Sequence, residues 1–333
     1  MIRWRLYSIV VLFVALCVGF ISISCRAVQT ESFTIVTFNA QWLFDGANDR
    51  HAPWKSAEAA TVHLKRVFEV LDALHADYIS LEEVEDTAML DRLASLFKNT
   101  LYSQIFVQGK DTCTGQDVCA LSKIPLEAYG RTEERSDYPI PQSTLTCKAG
   151  DTGVSKNYWG KIEIGGIPVT IIGAHFLAYP DWCARAVQRE AQAAVIAHLA
   201  REALQQGREV IILGDMNDFD GTVPDASSDR PISIVLKTLK DVDPALPGDE
   251  LHNVCERIPQ TERYTYWYDR NENEIDELGN EHSQIDFILL SKGLYDRVTD
   301  VRIDHSSPAG WASDHWPIVV SFVFQEDSAI TTP

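Results

Sequence analysis

The fold is decided by the stretch Glu209-Val210-Ile211-Ile212-Leu213-Gly214-Asp215-Met216-Asn217, in which an apolar run ends in an acid and an amide. The aliphatic, β-branched residues of this run predict a buried strand. A predicted helix ends at Gly207, just before the strand, and its apolar residues recur at helical spacing: Val187, Ala191, Val195 and Leu199. This order predicts a helical crossover that leads into one strand of a layered α/β protein.

Strands and helices alternate along the rest of the chain. A first amphipathic helix is predicted between Ala60 and Leu74, and Gly165-Gly166 is predicted to form the turn of a hairpin. Residues 111–153 and 218–229 are polar and predicted to be loops. Hairpins mixed with helical crossovers predict an α+β fold, with mixed or antiparallel sheets packed face to face and helices outside. The other predicted strands are residues 33–38, 78–81, 118–121, 158–164, 169–174, 285–290 and 318–324.

The composition is that of a globular protein with a strong negative charge. Of the 333 residues, 45% are hydrophobic and 23% charged, which excludes a disordered or collagen-like chain. Lys and Arg number 29 against 48 Asp and Glu, so the formal net charge is −19 at pH 7. Such a surface repels a polyanion and argues against tight, salt-driven binding of nucleic acid. We predict an export signal or membrane anchor in residues 1–30, one domain in residues 31–325 and a tail in residues 326–333.

The N-terminus has the order of an export signal. Arg3 and Arg5 precede an apolar run over residues 9–21, which is followed by small polar residues and Cys25. The apolar stretch approaches the roughly 20 residues of a membrane helix, so an uncleaved anchor is the alternative. Ser22-Ile23-Ser24-Cys25 also resembles a bacterial lipoprotein processing site, which would make Cys25 a lipidated N-terminus. The predicted location is therefore secreted, periplasmic or membrane-anchored through residues 1–25.

Five cysteines follow this segment, and their odd number leaves at least one thiol unpaired within the chain. Cys113 with Cys119 would close a short polar loop, whereas Cys147 with Cys183 would tie a long loop to the start of a helix. The sequence leaves this pairing, and that of Cys255, open. No Cys-x-x-Cys pair occurs, which argues against a thiolate zinc site.

Polar side chains stand where predicted strands end or begin. A single acid at such a place is usually a turn former or a helix cap. Asp286 differs because it lies inside an apolar strand, where a carboxylate needs a partner, and His315 is the natural candidate. The whole set is Asn39, Glu82, Glu83, His175, Asp215, Asn217, Asp286, Asp314 and His315.

Taken together, these residues have the composition of a hard-metal site. Carboxylates of Glu83, Asp215 and Asp314 suit Mg²⁺, Mn²⁺ or Ca²⁺, and the few imidazoles make zinc the weaker choice. Amides can hold phosphate oxygens without cancelling the charge of the metal, and an Asp–His pair supplies a polarised imidazole. A metal, amide donors and a base are what hydrolysis of a phosphodiester requires.

Six segments resemble, in order, the motifs of the endonuclease/exonuclease/phosphatase superfamily. This superfamily includes pancreatic-type deoxyribonuclease, apurinic endonucleases, neutral sphingomyelinases and inositol polyphosphate phosphatases. The resemblance spans nearly the whole chain after the N-terminal segment and implies a four-layer α/β sandwich, in which two packed mixed sheets are flanked by helices. The segments are Thr37-Phe38-Asn39, Leu81-Glu82-Glu83-Val84, Gly173-Ala174-His175-Phe176, Gly214-Asp215-Met216-Asn217-Asp218-Phe219, Gln284-Ile285-Asp286-Phe287-Ile288 and Ser313-Asp314-His315-Trp316-Pro317.

The resemblance assigns the metal site residue by residue. It implies that Glu83 is the principal Mg²⁺ ligand and that Asn39 and Asp314 help to form the metal site, with Asn39 also near the substrate. Glu82 stands where the family commonly has Gln. We expect its carboxylate to be solvated, with a contribution to metal binding as the alternative.

The remaining residues are assigned to the reaction itself. Asp215 would orient or deprotonate the attacking water, and Asn217 and His175 would contact the phosphate. Asp286 would hold His315, which would act as the base or as a stabiliser of phosphoryl charge. The choice between Asp215 and His315 as base stays open.

Two further features have alternative interpretations. Asp269, Asn271 and Asn273 alternate as in a calcium loop, but the later positions lack the required Gly and Glu, so we expect a solvated loop with structural Ca²⁺ as the alternative. Several tryptophans could stack on nucleobases, although core packing is the expectation for any single one. They are Trp42, Trp54, Trp159, Trp182, Trp267 and Trp311.

These observations predict an exported, Mg²⁺-dependent phosphodiesterase that acts as a monomer and hydrolyses DNA or RNA, with Mn²⁺ as the alternative ion. A second enzymatic hypothesis is a sphingomyelinase-like phospholipid head-group hydrolase or an inositol-phosphate hydrolase, which membrane attachment through the N-terminus would suit. A non-catalytic binding module on the same fold is the alternative of another class. The complete set of polar residues argues against the binding module, because binding alone does not need all of them.

Overall fold

The computed structural model of the protein describes residues 30–325, apart from residues 48–50, 244, 246–247, 274, 278 and 280. Most of the predicted export segment, with Cys25, and the predicted tail 326–333 lie outside the described residues. The predictions made for them, and the predicted domain boundaries, stay predictions. Within the described ranges, no helix is both long enough and apolar enough to cross a membrane.

Two mixed sheets of six strands each form the centre of the fold. The first contains β1 (Thr30–Leu43), β2 (Tyr78–Val84), β3 (Ser103–Phe106), β4 (Asp117–Ser122), β15 (Val298–Ile303) and β16 (Ile318–Gln325), in the order β15-β16-β1-β2-β4-β3. The second contains β5 (Ala128–Gly130), β8 (Lys156–Ile164), β9 (Ile167–His175), β10 (Glu209–Asp215), β11 (His252–Asn253) and β14 (Asp286–Leu290), in the order β11-β14-β10-β9-β8-β5. Two separate ladders pair β6 (Arg135–Tyr138) with β7 (Gly150–Gly153) and β12 (Tyr266–Trp267) with β13 (His282–Ser283).

Helices cover the outer faces of both sheets. They are α1 (Ala57–Leu74), α2 (Thr87–Ala94), α3 (Cys183–Gln205), α4 (Val235–Lys240) and α5 (Lys292–Tyr295), together with 3₁₀ turns at Val254–Arg257 and Gln260–Glu262. One apolar cluster fills the space between the sheets, a second packs the first sheet against α1 and α2, and a third packs the second sheet against α3 and α4. The predicted four-layer α/β sandwich is therefore confirmed.

Local sequence explains where the main elements begin and end. Ser56 caps α1 by accepting a hydrogen bond from the backbone N–H of Ala59, and His75 ends the helix in the left-handed conformation. The predicted apolar stripe from Ala60 to Leu74 is buried against the first sheet. Gly165 and Gly166 both have positive φ and form the predicted hairpin turn between β8 and β9.

The prediction of a loop over residues 111–153 was wrong in part. Besides β4, which the apolar pattern predicted, this region contains the short strands β5, β6 and β7. These strands are polar and largely exposed, so they lack the apolar alternation by which a strand is recognised. Residues 218–229 contain no helix or strand, as predicted.

The topology brings several strand ends to one edge. Each sheet has one parallel pair, β1 with β2 and β9 with β10, and α1 and α3 lie in the connections between the paired strands. The carboxyl ends of parallel strands meet at the same edge. Strands β16 and β14 run antiparallel to β1 and β10, so their first residues come to that same edge.

The structure decides between the two disulfides that the sequence left open. Cys147 is bonded to Cys183, which ties a long loop to the first residue of α3. Cys113 is exposed, Cys119 and Cys255 are buried, and none of these three forms a disulfide within the described part of the chain.

We expect the double variant Cys147→Ser/Cys183→Ser to lower the free energy of unfolding by about 3 kcal/mol, because the bond restricts the unfolded chain across a long loop. Chemical denaturation of the full chain measures the loss, and peptide mapping identifies the bond. Cys113→Ser, which removes an exposed thiol, is the control and should leave stability unchanged. A map that joins Cys113 to Cys119 instead would contradict the assignment.

Candidate active site

A cavity of about 560 Å³ opens at the edge where these strand ends meet. Six of the predicted site residues line it: Glu83, His175, Asp215, Asn217, Asp314 and His315. Asn39 and Asp286 are buried and hydrogen-bond to members of this group. A larger cavity, of about 850 Å³, lies beside α4, but none of the predicted site residues line it. The structure thus brings all the predicted site residues together, while their roles stay predictions.

Glu83 is aimed into the cavity by an irregularity of the first sheet. Its φ is 63°, and the pairing of β2 with both neighbouring strands shifts register at this point. The backbone N–H of Trp42 donates to Glu83 Oε2 at 3.0 Å, and Asn39 Nδ2 lies 3.4 Å from Oε1. Trp42 itself has a φ of 56°. Such backbone conformations cost energy in non-glycine residues, and they occur here beside the candidate site.

Asp215, the last residue of β10, is held from both sheets. Asn39 Nδ2, from the first sheet, donates to Asp215 Oδ2 at 3.1 Å, and the backbone N–H of Asn217 donates to Oδ1 at 2.8 Å. The preceding residue is Gly214, where a Cβ would lie 2.1 Å from the carbonyl oxygen of Ala174 on β9. The close approach of β9 and β10 therefore requires glycine directly before the acid.

Asp286 and His315 form a buried pair, as the sequence predicted. His315 Nδ1 donates to Asp286 Oδ2 at 2.8 Å, so Nε2 is left to face Asp215 Oδ2 at 4.0 Å and Asp314 Oδ1 at 3.9 Å. Burial lowers the pKa of His315, but Asp286, Asp314 and Asp215 outweigh burial and raise it well above its usual value. Thr265 Oγ1 accepts the backbone N–H of Asp286 and so fixes the start of β14.

The carboxylates of the site repel one another in a buried setting. Burial raises the pKa of Glu83 and of Asp314, and burial together with the charge of Asp286 raises the pKa of Asp215 to about 7. Asp286 Oδ1 is buried and has no hydrogen-bond partner among the described residues. This excess of negative charge and of free oxygen atoms fits a divalent cation, which takes oxygen ligands.

Two different sets of residues could hold that cation. Asp215, Asp286 and His315 each offer one ligand atom, and these atoms lie within 4.8 Å of one another. In this set, however, His315 Nδ1 is already hydrogen-bonded to Asp286. In the predicted set of Glu83, Asp314 and Asn39, the two carboxylates supply the oxygen atoms that a hard cation prefers, whereas Asn39 turns Nδ2 toward Glu83 and its Oδ1 accepts the backbone N–H of Gln41 at 3.0 Å.

His175 lies beside Asp215 with a neutral ring. Its Nε2 is 3.6 Å from Asp215 Oδ2, and burial lowers the pKa of His175 well below its usual value. Its Nδ1 is buried and has no hydrogen-bond partner within the described part of the chain. A neutral imidazole can donate one N–H to a phosphate oxygen.

The expectation that Glu82 is solvated was wrong. Its side chain is fully buried and packs close to Gly214 of the opposite sheet. Thr37 Oγ1 and Ser80 Oγ donate to Glu82 Oε1 at 3.1 and 3.3 Å. Burial, followed by the charges of Asp286 and Asp215, raises the pKa of Glu82 well above its usual value. A neutral carboxyl group here resembles the Gln amide that the family commonly has.

Four residues that line the cavity had no assigned role in the sequence: Tyr179, Tyr266, Tyr268 and Arg270. Trp182 also lines it, and the expectation that this tryptophan packs in the core was wrong, because its side chain is 61% exposed. The aromatic residues that alternate in Tyr264-Thr265-Tyr266-Trp267-Tyr268 were the signal in the sequence that could have identified Tyr266 and Tyr268. Trp182 is largely exposed beside the cavity, unlike Trp54, which stacks on His63.

The loop of Asp269, Asn271 and Asn273, for which we expected a solvated loop with structural Ca²⁺ as the alternative, is closed by hydrogen bonds among its own residues. Oδ1 of Asp269 and Oδ1 of Asn271 both accept the backbone N–H of Asn273, and Asn273 Oδ1 accepts the N–H of Ile275. These are hydrogen bonds within one loop, which any such turn can make. The solvated loop stays the prediction, and structural Ca²⁺ stays its alternative.

Comparison with known proteins supports the resemblance that the six motifs indicated. A model described as the Endonuclease/Exonuclease/phosphatase family matches residues 36–315. The 3′-5′ exonuclease NExo from Neisseria meningitidis is similar to this chain, with 16% identity, coverage of 87% of this chain and 99% of its own, and a TM-score of 0.59. TDP2 from Caenorhabditis elegans has 18% identity, covers 88% of this chain and 74% of its own, and gives a TM-score of 0.56. An AP endonuclease from Archaeoglobus fulgidus has 15% identity, covers 87% of this chain and 99% of its own, and gives a TM-score of 0.55. No curated protein matches the chain.

We expect Glu82→Gln to stabilise the fold at neutral pH. Because the pKa of Glu82 is raised on folding, the wild-type protein loses stability as pH rises from the ordinary Glu value toward the folded value, by about 1.4 kcal/mol for each pKa unit. The Gln variant lacks this loss, so the two proteins should converge in acid. Denaturation midpoints against pH, measured with chelator, test this, and exposed Glu163→Gln is the control. A lower midpoint for Glu82→Gln at pH 7 would contradict the assignment.

Proposed function

The chain belongs to the endonuclease/exonuclease/phosphatase family, and from that membership we propose that it is a divalent-metal-dependent nuclease that hydrolyses phosphodiester bonds in DNA or RNA. One observation supports the proposal most strongly. His315, held by Asp286, faces Asp215 and Asp314 in a cavity that also presents Glu83. Acids, amides and a polarised imidazole in one open cavity are the groups that this hydrolysis needs.

The side chains have distinct tasks in the proposed reaction. Asn39 and the backbone N–H of Asn217 hold the two oxygens of Asp215, so this carboxylate has a fixed direction in which to orient a water molecule. Asp286 fixes the ring of His315 so that Nε2 faces the reacting group. Asp215 can take the proton of the water, and so can His315 in its neutral form. The protonated ring, which the raised pKa of His315 favours, would instead stabilise the developing charge.

The phosphate is bound by donors around this pair. His175 offers one imidazole N–H, and Asn217 lines the cavity beside it, with a side-chain amide that already donates to the carbonyl oxygen of Phe176 at 3.2 Å. Glu83, Asp314 and Asn39 would hold Mg²⁺, with Mn²⁺ as the alternative. When bound, the ion neutralises charge on the phosphoryl oxygens.

Removal of divalent metal by chelator should abolish hydrolysis, and Mg²⁺ should restore it. We expect Glu83→Gln to reduce kcat/KM at saturating Mg²⁺ and to raise the Mg²⁺ concentration needed for half-maximal rate, because one charged ligand is lost. Exposed Glu163→Gln is the matched control. Activity that survives both chelation and Glu83→Gln would overturn the metal assignment.

Loss of the imidazole should slow the reaction more than it weakens binding. We expect His315→Asn to reduce kcat by at least about 100-fold, the usual contribution of a positioned acid or base, and Asp286→Asn to reduce it less. His75→Asn is the control, because His75 is exposed and its left-handed backbone suits Asn. Equal kcat in the wild type and His315→Asn would remove His315 from the mechanism.

The choice of nucleic acid as substrate class also draws on the similar structures. Two of them are an exonuclease and an AP endonuclease, and the Neisseria 3′ phosphatase NExo has been solved bound to a product DNA hairpin. We further propose, from residues 1–25, that the protein acts outside the cytoplasm, secreted, periplasmic or attached to a membrane, and that it works as a monomer.

A panel of DNA, RNA, sphingomyelin and inositol phosphates, each assayed with Mg²⁺, should give the highest kcat/KM on a nucleic acid. A preference of about 100-fold corresponds to roughly 2.7 kcal/mol of transition-state discrimination. Higher activity on sphingomyelin or inositol phosphates would favour the head-group or inositol-phosphate hydrolase. Absence of turnover on every substrate with Mg²⁺, Mn²⁺ and Ca²⁺ would favour the non-catalytic binding module.

A further inference from the structure

Two exposed aromatic rings form one wall of the active-site cavity. Tyr179 is 62% exposed and Trp182 is 61% exposed, and their ring centroids lie 5.3 Å apart at an interplanar angle of 57°. Both residues line the cavity that contains His315. We call this pair the aromatic wall. Large exposed rings beside a functional site commonly mark a binding surface, because packing alone does not explain their exposure.

The loop that carries the aromatic wall is fixed from inside by one buried cation. Arg189 on α3 is fully buried, and its Nη1 donates to the carbonyl oxygens of Leu177 at 3.2 Å and Tyr179 at 3.0 Å. Its Nη2 donates to the carbonyl oxygen of Pro180 at 2.8 Å, and its Nε donates to Asp218 Oδ2 at 3.0 Å. The backbone of this loop is therefore held at successive residues by charge-assisted hydrogen bonds.

The other end of the loop is held covalently. Trp182 directly precedes Cys183, which is bonded to Cys147. The backbone N–H of Trp182 also donates to the carbonyl oxygen of Tyr179 at 3.2 Å, which closes a turn between the two rings. Because the loop is ordered before any ligand arrives, little conformational entropy remains to be lost on binding.

Further aromatic residues and a cation also line the cavity. Tyr266 and Tyr268 are nearly parallel, with centroids 6.4 Å apart and an interplanar angle of 14°, and Tyr268 is 58% exposed. Arg270 lines the cavity beside them. The cavity thus offers planar apolar faces and an additional positive charge, in a chain with a net charge of −19.

We propose that the aromatic wall binds unpaired nucleobases, so that the substrate is single-stranded nucleic acid. This inference rests on the proposed nuclease function. In a duplex the faces of the bases are covered by stacking, whereas a single strand can present them to aromatic side chains. An acidic chain cannot hold a duplex through a broad set of phosphate contacts, and stacking supplies affinity without them. Inositol phosphates have no aromatic face to stack on these rings, and a choline head group would contact them by cation–π attraction, which the bases of the strand do not affect.

The test compares two oligonucleotides with the same phosphates. One is a thymidylate single strand of about twelve nucleotides, and the other is an abasic strand of equal length, so that they differ only in the bases. With the full chain and Mg²⁺, we expect the thymidylate strand to be hydrolysed with a kcat/KM about tenfold higher than the abasic strand. A thymidylate–adenylate duplex of the same length should be the poorer substrate.

The double variant Tyr179→Ala/Trp182→Ala should remove this difference. We expect a higher KM for the thymidylate strand at little change in kcat, because stacking contributes equally to the ground state and the transition state. Hydrolysis of the abasic strand should be unchanged, and Trp182→Phe should retain most of the preference. Tyr129→Ala is the control, because Tyr129 is 51% exposed on β5 and does not line the cavity.

The outcomes separate the two proposals. Equal kcat/KM on both strands in the wild type, or a preference for the duplex, overturns the inference but leaves the nuclease intact. If neither strand is hydrolysed, the proposed function fails, and the aromatic wall is then tested by fluorescence anisotropy of the labelled strands with Mg²⁺. If the wild type binds the thymidylate strand more tightly than the abasic strand, and Tyr179→Ala/Trp182→Ala loses this difference, the result supports base binding by the aromatic wall. Equal binding of both strands by the wild type overturns it.

Discussion

The cross-strand pairing of Asp215 with Asp286 is the constraint on which the site depends. The two acids stand opposite each other where β10 meets β14, in register and buried. Two buried carboxylates on paired residues repel each other, so the surrounding groups must compensate their negative charge. His315 does so for Asp286, and hydrogen-bond donors from both sheets do so for Asp215. The arrangement costs stability, which is the usual sign that a cluster is maintained for its chemistry.

The sequence predicted the residues of this cluster because each stands next to a strand that apolar periodicity identifies. Parallel pairing then brings the carboxyl ends of β1 and β2, and of β9 and β10, to one edge. Periodicity could not predict that the Glu82 side chain is buried, because the irregularity at Glu83 changes which way neighbouring side chains point. The exposed polar strands β6 and β7 and the loop that carries Tyr179 have no apolar period, so only the structure could place them. The sequence also left the cysteine pairing open, because a contact between two distant loops leaves no local pattern in the sequence.

The net charge of −19 has a different meaning once the site is known. Several of the acids converge on a place where a divalent cation would offset them, so the charge does not exclude a phosphate substrate there. It argues against an enzyme that holds its substrate by a broad basic surface. Affinity must then come from contacts that do not use phosphate charge, and aromatic rings beside the cavity provide contacts of that kind. The low net affinity expected from so few contacts suits an enzyme that releases its product quickly.

A buried ion pair, together with the Cys147–Cys183 disulfide, holds the aromatic wall beside the reacting groups. Asp218 follows Asp215 by three residues, and it binds the same Arg189 that holds the carbonyl oxygens of the loop before Trp182. The planar guanidinium can serve this carboxylate and several carbonyl oxygens at once, whereas the ammonium of Lys has fewer donors and no fixed fork. Arg189 therefore links the loop on which a base of a substrate could stack to the segment that follows Asp215. This link keeps a constant distance between a stacked base and Asp215, so stacking contributes the same binding free energy before and during the reaction and lowers KM instead of raising kcat.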